Sequence, residues 1–573
     1  MRPHSFIGSM LLLMATASAS AQTTRNVPAQ FATIQSAINA SAHGHTVLVA
    51  PGTHNGPVNF FGKNITVTSS GGASATTIVG NSAQRVVTIN LNETSAVLNG
   101  FKITGGSGGI LVQNASSTIS NCIVTGNAVA NFSGGSTGTG GGISILATGA
   151  AGYGTSINGC TVTGNIAGAN GGGIYIESQN GTLLPSISNC TVSNNSTFGG
   201  VSNTSAGGSG ICVYRSGGTL SITIDRCTIR GNTGAFAGGG LELVDVSTAT
   251  VTNSRFLDNT LSGNQGYSIG GGIYATGTQA TINNCLIAGN TSTVQGGGIY
   301  CFLQSGTILN CTIANNYSTM GGGISIGSNG ISIVNTIVWG NGGSQIQPGP
   351  TPPAITYSTI EGGLYASIPT NAATDPRFVD SANGNYHLSA QSPCVNSGNS
   401  AVIGIVATDL DGLPRVVGPT IDRGSDEAPI ATLPGTNEDL DLYATVDGVG
   451  DPLATTTVAP ALSNLNVLLR SPGGGFTGSQ PLIAAQLFPT GMPPLGLVAI
   501  PQVHLDAVGS FVVFGVPGAG PFGAPGLPQS GIAMTFLVPP GLSGTSLRLQ
   551  GFGVASIALN GVFAVTNARD LVF

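Results

Sequence analysis

Gly171-Gly172-Gly173-Ile174-Tyr175-Ile176-Glu177, followed by Asn189-Cys190-Thr191-Val192-Ser193-Asn194-Asn195, is one turn of a phrase that this chain keeps rewriting. Its glycine run recurs as Gly140-Gly141-Gly142-Ile143, Gly208-Ser209-Gly210-Ile211, Gly238-Gly239-Gly240-Leu241, Gly270-Gly271-Gly272-Ile273, Gly296-Gly297-Gly298-Ile299 and Gly321-Gly322-Gly323-Ile324. From Ile143 onward, the hydrophobic residue that closes each run returns after 31, 37, 30, 32, 26 and 25 positions. Short β-prone segments at such a period, with loops of varying size between them, predict stacked coils that each need a neighbour to bury their inner face.

At 573 residues the chain exceeds one ordinary domain, so a repeat array plus a further domain is the natural partition. Only 6% of the residues are charged, 91 are glycine, and the formal net charge is -6. No apolar run beyond residue 22 reaches the ~20 residues of a membrane-spanning helix. The apolar residues instead alternate with Thr, Ser, Asn and Gly, as in strands with one buried face. Net negative charge and scattered arginines argue against a nucleic-acid partner.

Arg2 and His4, the apolar stretch Phe6 to Ala15 and the small residues Ala19-Ser20-Ala21 form the layout of a signal peptide over residues 1–21. That layout predicts a secreted or cell-surface protein. Nine cysteines in an oxidising compartment ordinarily suggest disulfides. Here Cys122, Cys160, Cys190, Cys227, Cys285 and Cys311 share one repeat position, which Ser254 and Thr336 fill in other coils. A buried ladder of free thiols is expected, with one or two vertical bridges as the alternative.

Phe31, Ile34, Ala37 and Ile38 fall on one helical face ahead of the first strand, Thr46 to Val49, and predict a helix that plugs the open end of the array. The capped array is expected over residues 22–345 and a closing segment over 346–430. Residues 431–573 lose the repeat, and regular turn signals between candidate strands such as Leu465 to Leu469, Ser510 to Phe514 and Ser546 to Gln550 predict a β-sandwich-like domain. The Asn column that includes Asn165, Asn232, Asn259 and Asn341 is expected in left-handed turn positions, each amide bonded to the one above and below.

The opening Ala32-Thr33-Ile34-Gln35-Ser36-Ala37-Ile38, the Val47-Leu48-Val49-Ala50-Pro51-Gly52-Thr53 strand and turn, and the glycine-run and Asn-Cys coils resemble the secreted right-handed parallel β-helix proteins of the pectin-lyase-like superfamily. Asp375-Pro376-Arg377-Phe378, Tyr386-His387-Leu388, Asp409-Leu410-Asp411-Gly412 and Asp422-Arg423-Gly424 look like the closing segment of many such proteins. The resemblance covers roughly residues 30 to 428 and implies an all-β, right-handed parallel β-helix. It also implies extracellular polysaccharide as the partner, and lyase or glycoside hydrolase activity as an alternative to plain binding.

Charge is distributed unevenly: residues 103–176 and 259–360 contain no Asp, Glu, Lys or Arg. Between these blanks lie Glu177, Arg215, Asp225, Arg226, Arg230, Glu242, Asp245, Arg255 and Asp258. Strand alternation from the inward Ile or Leu sends Glu177 and Glu242 toward solvent, in line with Tyr175, Tyr274 and Tyr300. Tyr175, Glu177, Arg215, Glu242, Asp245, Tyr274 and Tyr300 are therefore the candidate ligand-binding residues, with aromatic faces for sugar rings and charges for hydroxyls or carboxylates. The bland alternative is that stacked tyrosines and surface ion pairs serve the sheet alone, as in a structural adhesin without sugar affinity. For the enzyme reading, Glu177, Glu242, Arg230 and Arg255 are the catalytic candidates, the glutamates as an acid–base pair and an arginine as the lyase base. No cofactor is expected beyond a possible calcium ion, and no coil carries the dense carboxylates calcium wants. The histidines show no metal-ligand spacing, and Asp409 and Asp411 are expected to pair with Arg415 or Arg423.

Overall fold

In the computed structural model the repeat is a parallel β-helix whose coils run through three long sheets. The structure describes residues 23–129, 138–198, 207–263, 268–328, 330–389, 391–401, 406–416 and 420–428, and beyond them the backbone of strands between 441 and 572. The signal peptide read over 1–21 lies outside the described residues. A back sheet follows a path of thirteen strands from Thr24–Val27 to Ala354–Thr356. A Cys sheet of twelve, from Gly52–Asn55 to Thr359–Ile360, holds the strands after each Asn-Cys pair, and a Gly sheet of eleven, from Val58–Asn59 to Ile346–Gln347, holds those after each glycine run.

Repeat positions aligned in the sequence are neighbours in space. Ile143, Ile174, Ile211, Leu241, Ile273, Ile299 and Ile324 pair in register and are fully buried. The glycine run exists because main chain from adjacent coils stacks there with no room for side chains. Gly171 has φ +66°, and a Cβ on Gly173 would stand 2.6 Å from the Gly210 carbonyl oxygen and 2.9 Å from Asn195 Nδ2.

That Asn195 belongs to an amide ladder. Nδ2 of Asn127 donates to Oδ1 of Asn165 at 3.0 Å, and the pattern continues through Asn195, Asn232, Asn259, Asn290, Asn316 and Asn341 before ending on Gln345 Oε1 at 2.7 Å. The stacking is as expected, but the backbone assignment needs correcting by one residue. Positive φ belongs to the preceding residue, Gly126, Gly164, Asn194, Gly231, Asp258, Gly289, Asn315 or Gly340, which turns the chain so that the next amide points into the coil.

All nine cysteines are free and buried. At their repeat position the side chain is a hydrogen-bonding group as well as a small one. The Cys122 N–H donates to Cys160 Sγ at 3.5 Å and the Cys160 N–H to Cys190 Sγ at 3.4 Å, while Ser254 Oγ accepts from the Cys227 N–H at 3.1 Å and Thr336 Oγ1 from that of Cys311 at 3.4 Å. A thiol or hydroxyl satisfies this buried N–H and a methyl does not, so Ser and Thr replace Cys here.

The N-terminal plug is the helix Ile34–Asn39. Thr33 and Ser36 form a capping box, Ile34, Ala37 and Ile38 are buried in the solenoid core, and Lys63 Nζ donates to the carbonyls of Ile38 and Asn39, placing positive charge at the helix C-terminus. Among the described residues no helix is long and apolar enough to cross a membrane.

After Ile360 the chain returns as a strap along the outer face of the Cys sheet. Tyr386 packs on Leu286, Ala288 and Ala314, Leu388 and Cys394 pack on Ile337, and the Ser425 N–H donates to Thr312 Oγ1 at 3.1 Å. This covering explains a local change in the sequence. The uncovered strand Thr161–Thr163 alternates half-buried and buried, whereas Leu286–Ala288 and Thr312–Ala314 are buried throughout. Farther on, Asp441–Val446, Asn464–Arg470 and Ile532–Leu537 form an antiparallel sheet, and a mixed six-stranded sheet is built around Gln480–Pro489 and Thr545–Val554.

Candidate functional site

On the outer side of the Gly sheet, Tyr175, Cys212, Glu242, Tyr274 and Tyr300 stand in register on consecutive coils. Two residues along each strand, Glu177, Tyr214, Val244, Thr276 and Phe302 form a parallel column. Strand alternation therefore aligns four of the seven candidate ligand-binding residues in one file, with Glu177 beside it. The Tyr274 and Tyr300 rings stack, centroids 5.3 Å apart and planes 8° apart.

The file changes character along its length. Tyr175, Glu177 and Glu242 were expected in solvent, yet they are 3%, 5% and 7% exposed. They do point away from the coil interior, but each is closed in by neighbours, and Glu242 packs against main chain: a Cβ on Gly207 would overlap its carboxylate. The Tyr175 hydroxyl donates to Glu177 Oε2 at 3.1 Å, and the Ser216 hydroxyl donates to Oε1 at the same distance. Burial pushes the Glu242 carboxyl up to about 7, with the Cys212 thiol hydrogen bond pulling the other way. Farther up, Tyr274 and Tyr300 are half-buried and Phe302 is 51% exposed. Burial, reinforced by the nearby Glu242 charge, pushes the Tyr274 phenol up to about 12.

Glu177 and Glu242 do not face each other across an opening. Two coils and two residues separate their α-carbons by about 12 Å, with Cys212 and Tyr214 of the intervening coil between them. The arginines proposed as bases lie on another sheet. Arg230 pairs with Asp258 at 3.3 Å, and Arg255 pairs with Asp411 of the strap at 2.6 Å. Arg226 is held by Asp225 at 2.7 Å, and Arg215 donates to the main-chain oxygens of Asp245 and Gly218. Asp245 itself is an exposed residue at φ +53° in the turn after its strand. The charges thus divide between two faces of the solenoid.

A second cluster joins the strap to the Cys sheet. His387 Nε2 is 2.5 Å from Asp411 Oδ2 and 3.8 Å from Asp426 Oδ1, and Asp411 Oδ1 takes the Arg255 pair. Asn385 Oδ1 accepts the His387 main-chain N–H at 3.1 Å, so it is an acceptor for Nδ1 too, at 2.7 Å. Nδ1 therefore carries a hydrogen, and Nε2 faces the carboxylates. Among the described residues these three side chains form the one group whose donor atoms, all within 4.8 Å, suit a metal ion. Residue spacing does not reveal it, because its members come from separate stretches of the closing segment. The carboxylates expected on Arg415 or Arg423 are used otherwise. Asp411 takes Arg255, Asp409 accepts the N–H groups of Asp411, Leu413 and Glu427, and buried Arg415 faces Glu427 at 3.8 Å. Burial, with Asp426 and Asp411 close by, pushes Asp409 up to about 7, and burial pushes Asp422 up to about 6.

Residues 141–350 match the family model described as a right handed beta helix region. That match agrees with the stacked parallel sheets, and the fold is a right-handed parallel β-helix. Among solved structures, the A-module of a mannuronan C-5 epimerase from Azotobacter vinelandii is similar at 14% identity, over 57% of this chain and 93% of that one, with a TM-score of 0.32. No curated protein matches the chain.

Proposed function

We propose that this is a secreted or cell-surface β-helix that binds extracellular polysaccharide along the outer face of the Gly sheet. The observation that carries the reading is the run from the stacked Tyr274–Tyr300 pair to Phe302, a large aromatic left half-exposed beside the stack. Aromatic faces of this kind bury the C–H faces of sugar rings at little entropic cost, because each ring has only two side-chain torsions to fix. Retention on immobilised polysaccharides, measured with and without calcium, tests it: Tyr300→Ala and Phe302→Ala should weaken binding at least about tenfold, a loss of roughly 1.4 kcal/mol. Unchanged retention would sink the proposal and leave the structural-adhesin reading.

A catalytic reading has one observation in its favour, the Glu242 carboxyl near 7, where a group can both give and take a proton. The main-chain roof at Gly207 stands between that carboxyl and a polymer, so binding is the leading reading. Release of reducing ends or unsaturated products by wild type, abolished in Glu242→Gln, would reverse that order.

A further inference from the structure

We infer that the open aromatic strip is built for an uncharged polysaccharide and selects against uronate polymers. The inference rests on the carbohydrate-binding reading and adds the chemical class of the ligand. Tyr274, Tyr300 and Phe302 lie within residues 259–360, which contain no Asp, Glu, Lys, Arg or His. The same count holds for the loops that connect these coils, so the strip has no charged residue of its own coils beside it.

The nearest charges do not help an anion. Residues 103–360 contain four arginines. Three of them, Arg226, Arg230 and Arg255, are paired with Asp225, Asp258 and Asp411. Arg215 belongs to the Gly sheet, two coils from Tyr274 and three from Tyr300, but its guanidinium is held by the main-chain oxygens of Asp245 and Gly218, so it sits beside an acidic residue. The charged neighbour in register with Tyr274 is Glu242, which repels a carboxylate whenever it is ionised. A uronate polymer laid on this strip would give up part of the hydration of its carboxylates and gain no cation from these coils in return, a cost that rises with each sugar bound. An uncharged chain asks only for ring faces and hydroxyl partners, and the hydrogen-bonded Tyr274–Thr276 pair, Thr276 being in register with Phe302, offers hydroxyl oxygens that can accept further hydrogen bonds.

The test is affinity electrophoresis of the full-length protein through gels carrying xylan, β-glucan or mannan, and separately polygalacturonate or alginate, at low and high salt. At least one uncharged polymer should retard the protein about tenfold more strongly than either uronate polymer, with little change on adding salt. Thr276→Lys, which places a cation in register with Phe302, should gain salt-sensitive retardation by the uronates. Equal or stronger retardation of wild type by a uronate polymer would overturn the charge selection while leaving the carbohydrate reading standing. No retardation by any polymer, or retardation that survives Tyr300→Ala and Phe302→Ala, would overturn that underlying reading and the selection with it.

Discussion

The outer faces of the Cys sheet and the Gly sheet are built by the same rule and meet opposite fates. Both alternate inward and outward residues on parallel strands in register, and both carry charge in the middle coils. On the Cys sheet the strap returns over the later coils, so outward positions there become Leu286, Ala288 and Ala314, and the charge at Arg255 is matched by Asp411. On the Gly sheet the upper coils keep Phe302 open, while two glutamates lower down are buried with hydroxyl and thiol partners. Pointing out of a coil therefore fixes a direction and not an environment. The segment that passes over the face decides whether a side chain is an anchor, a buried acid or a contact for something else.

The largest effect should come from breaking an anchor. Arg255→Ala leaves Asp411 buried beside His387 and Asp426 without its guanidinium, and removing one partner of such a buried pair costs roughly 3–5 kcal/mol. Hydrogen exchange locates the loss. Protection should fall at strap amides such as Leu388 and Arg423, while amides in the Gly-sheet strand Leu241–Val244 keep theirs. Equal loss on both sheets would show that the strap and the coils open as one unit and that the two faces are not independent.

Glu242→Gln probes the other face through pH. The folded carboxyl, raised by burial to about 7 from its ordinary value of 4.5, binds a proton more tightly than the unfolded chain does. Stability from this group is then complete below about 4.5 and is lost as pH rises toward and through 7, up to about 3 kcal/mol in all. The glutamine variant should lack that loss, so its advantage over wild type grows between pH 5 and pH 8 as read by thermal unfolding. A difference that does not change over that range would mean that Glu242 is already ionised and solvated, and the roof at Gly207 would have to be open.

Much of this architecture can be read from the chain because it is local and repeated. The glycine run, the Cys position and the Asn column each return at the coil period, and each return marks the same point in space. The Asn column shows how narrow the margin is: the left-handed residue is the one before it, and in some coils both are Asn, as at Asn194-Asn195 and Asn315-Asn316. Only the other coils, with Gly or Asp at the first position, separate the two roles. The strap contacts are different in kind. Arg255 and Asp411 are 156 residues apart, and no periodicity connects them. The local sign of cover is the loss of alternation, plainest at Leu286-Ile287-Ala288, a signal that becomes readable once a returning segment is considered. For the same reason Glu177 and Glu242 read as solvent-facing, since Ser216 and Gly207, which pack against them, belong to adjacent coils.

The smallest effect makes the sharpest comparison, because it places one kind of cut on both faces. Leu286 and Phe302 both occupy outward positions, at 3% and 51% exposure. Leu286→Ala removes methyl groups pinned between sheet and strap and should cost about 2–3 kcal/mol of strap protection. Phe302→Ala removes a larger side chain, yet it leaves no cavity and should change stability by less than about 0.5 kcal/mol, with its effect confined to polysaccharide retention. If Phe302→Ala instead destabilised the coils as much as Leu286→Ala, the ring would be serving the sheet, and the open face would be another covered one.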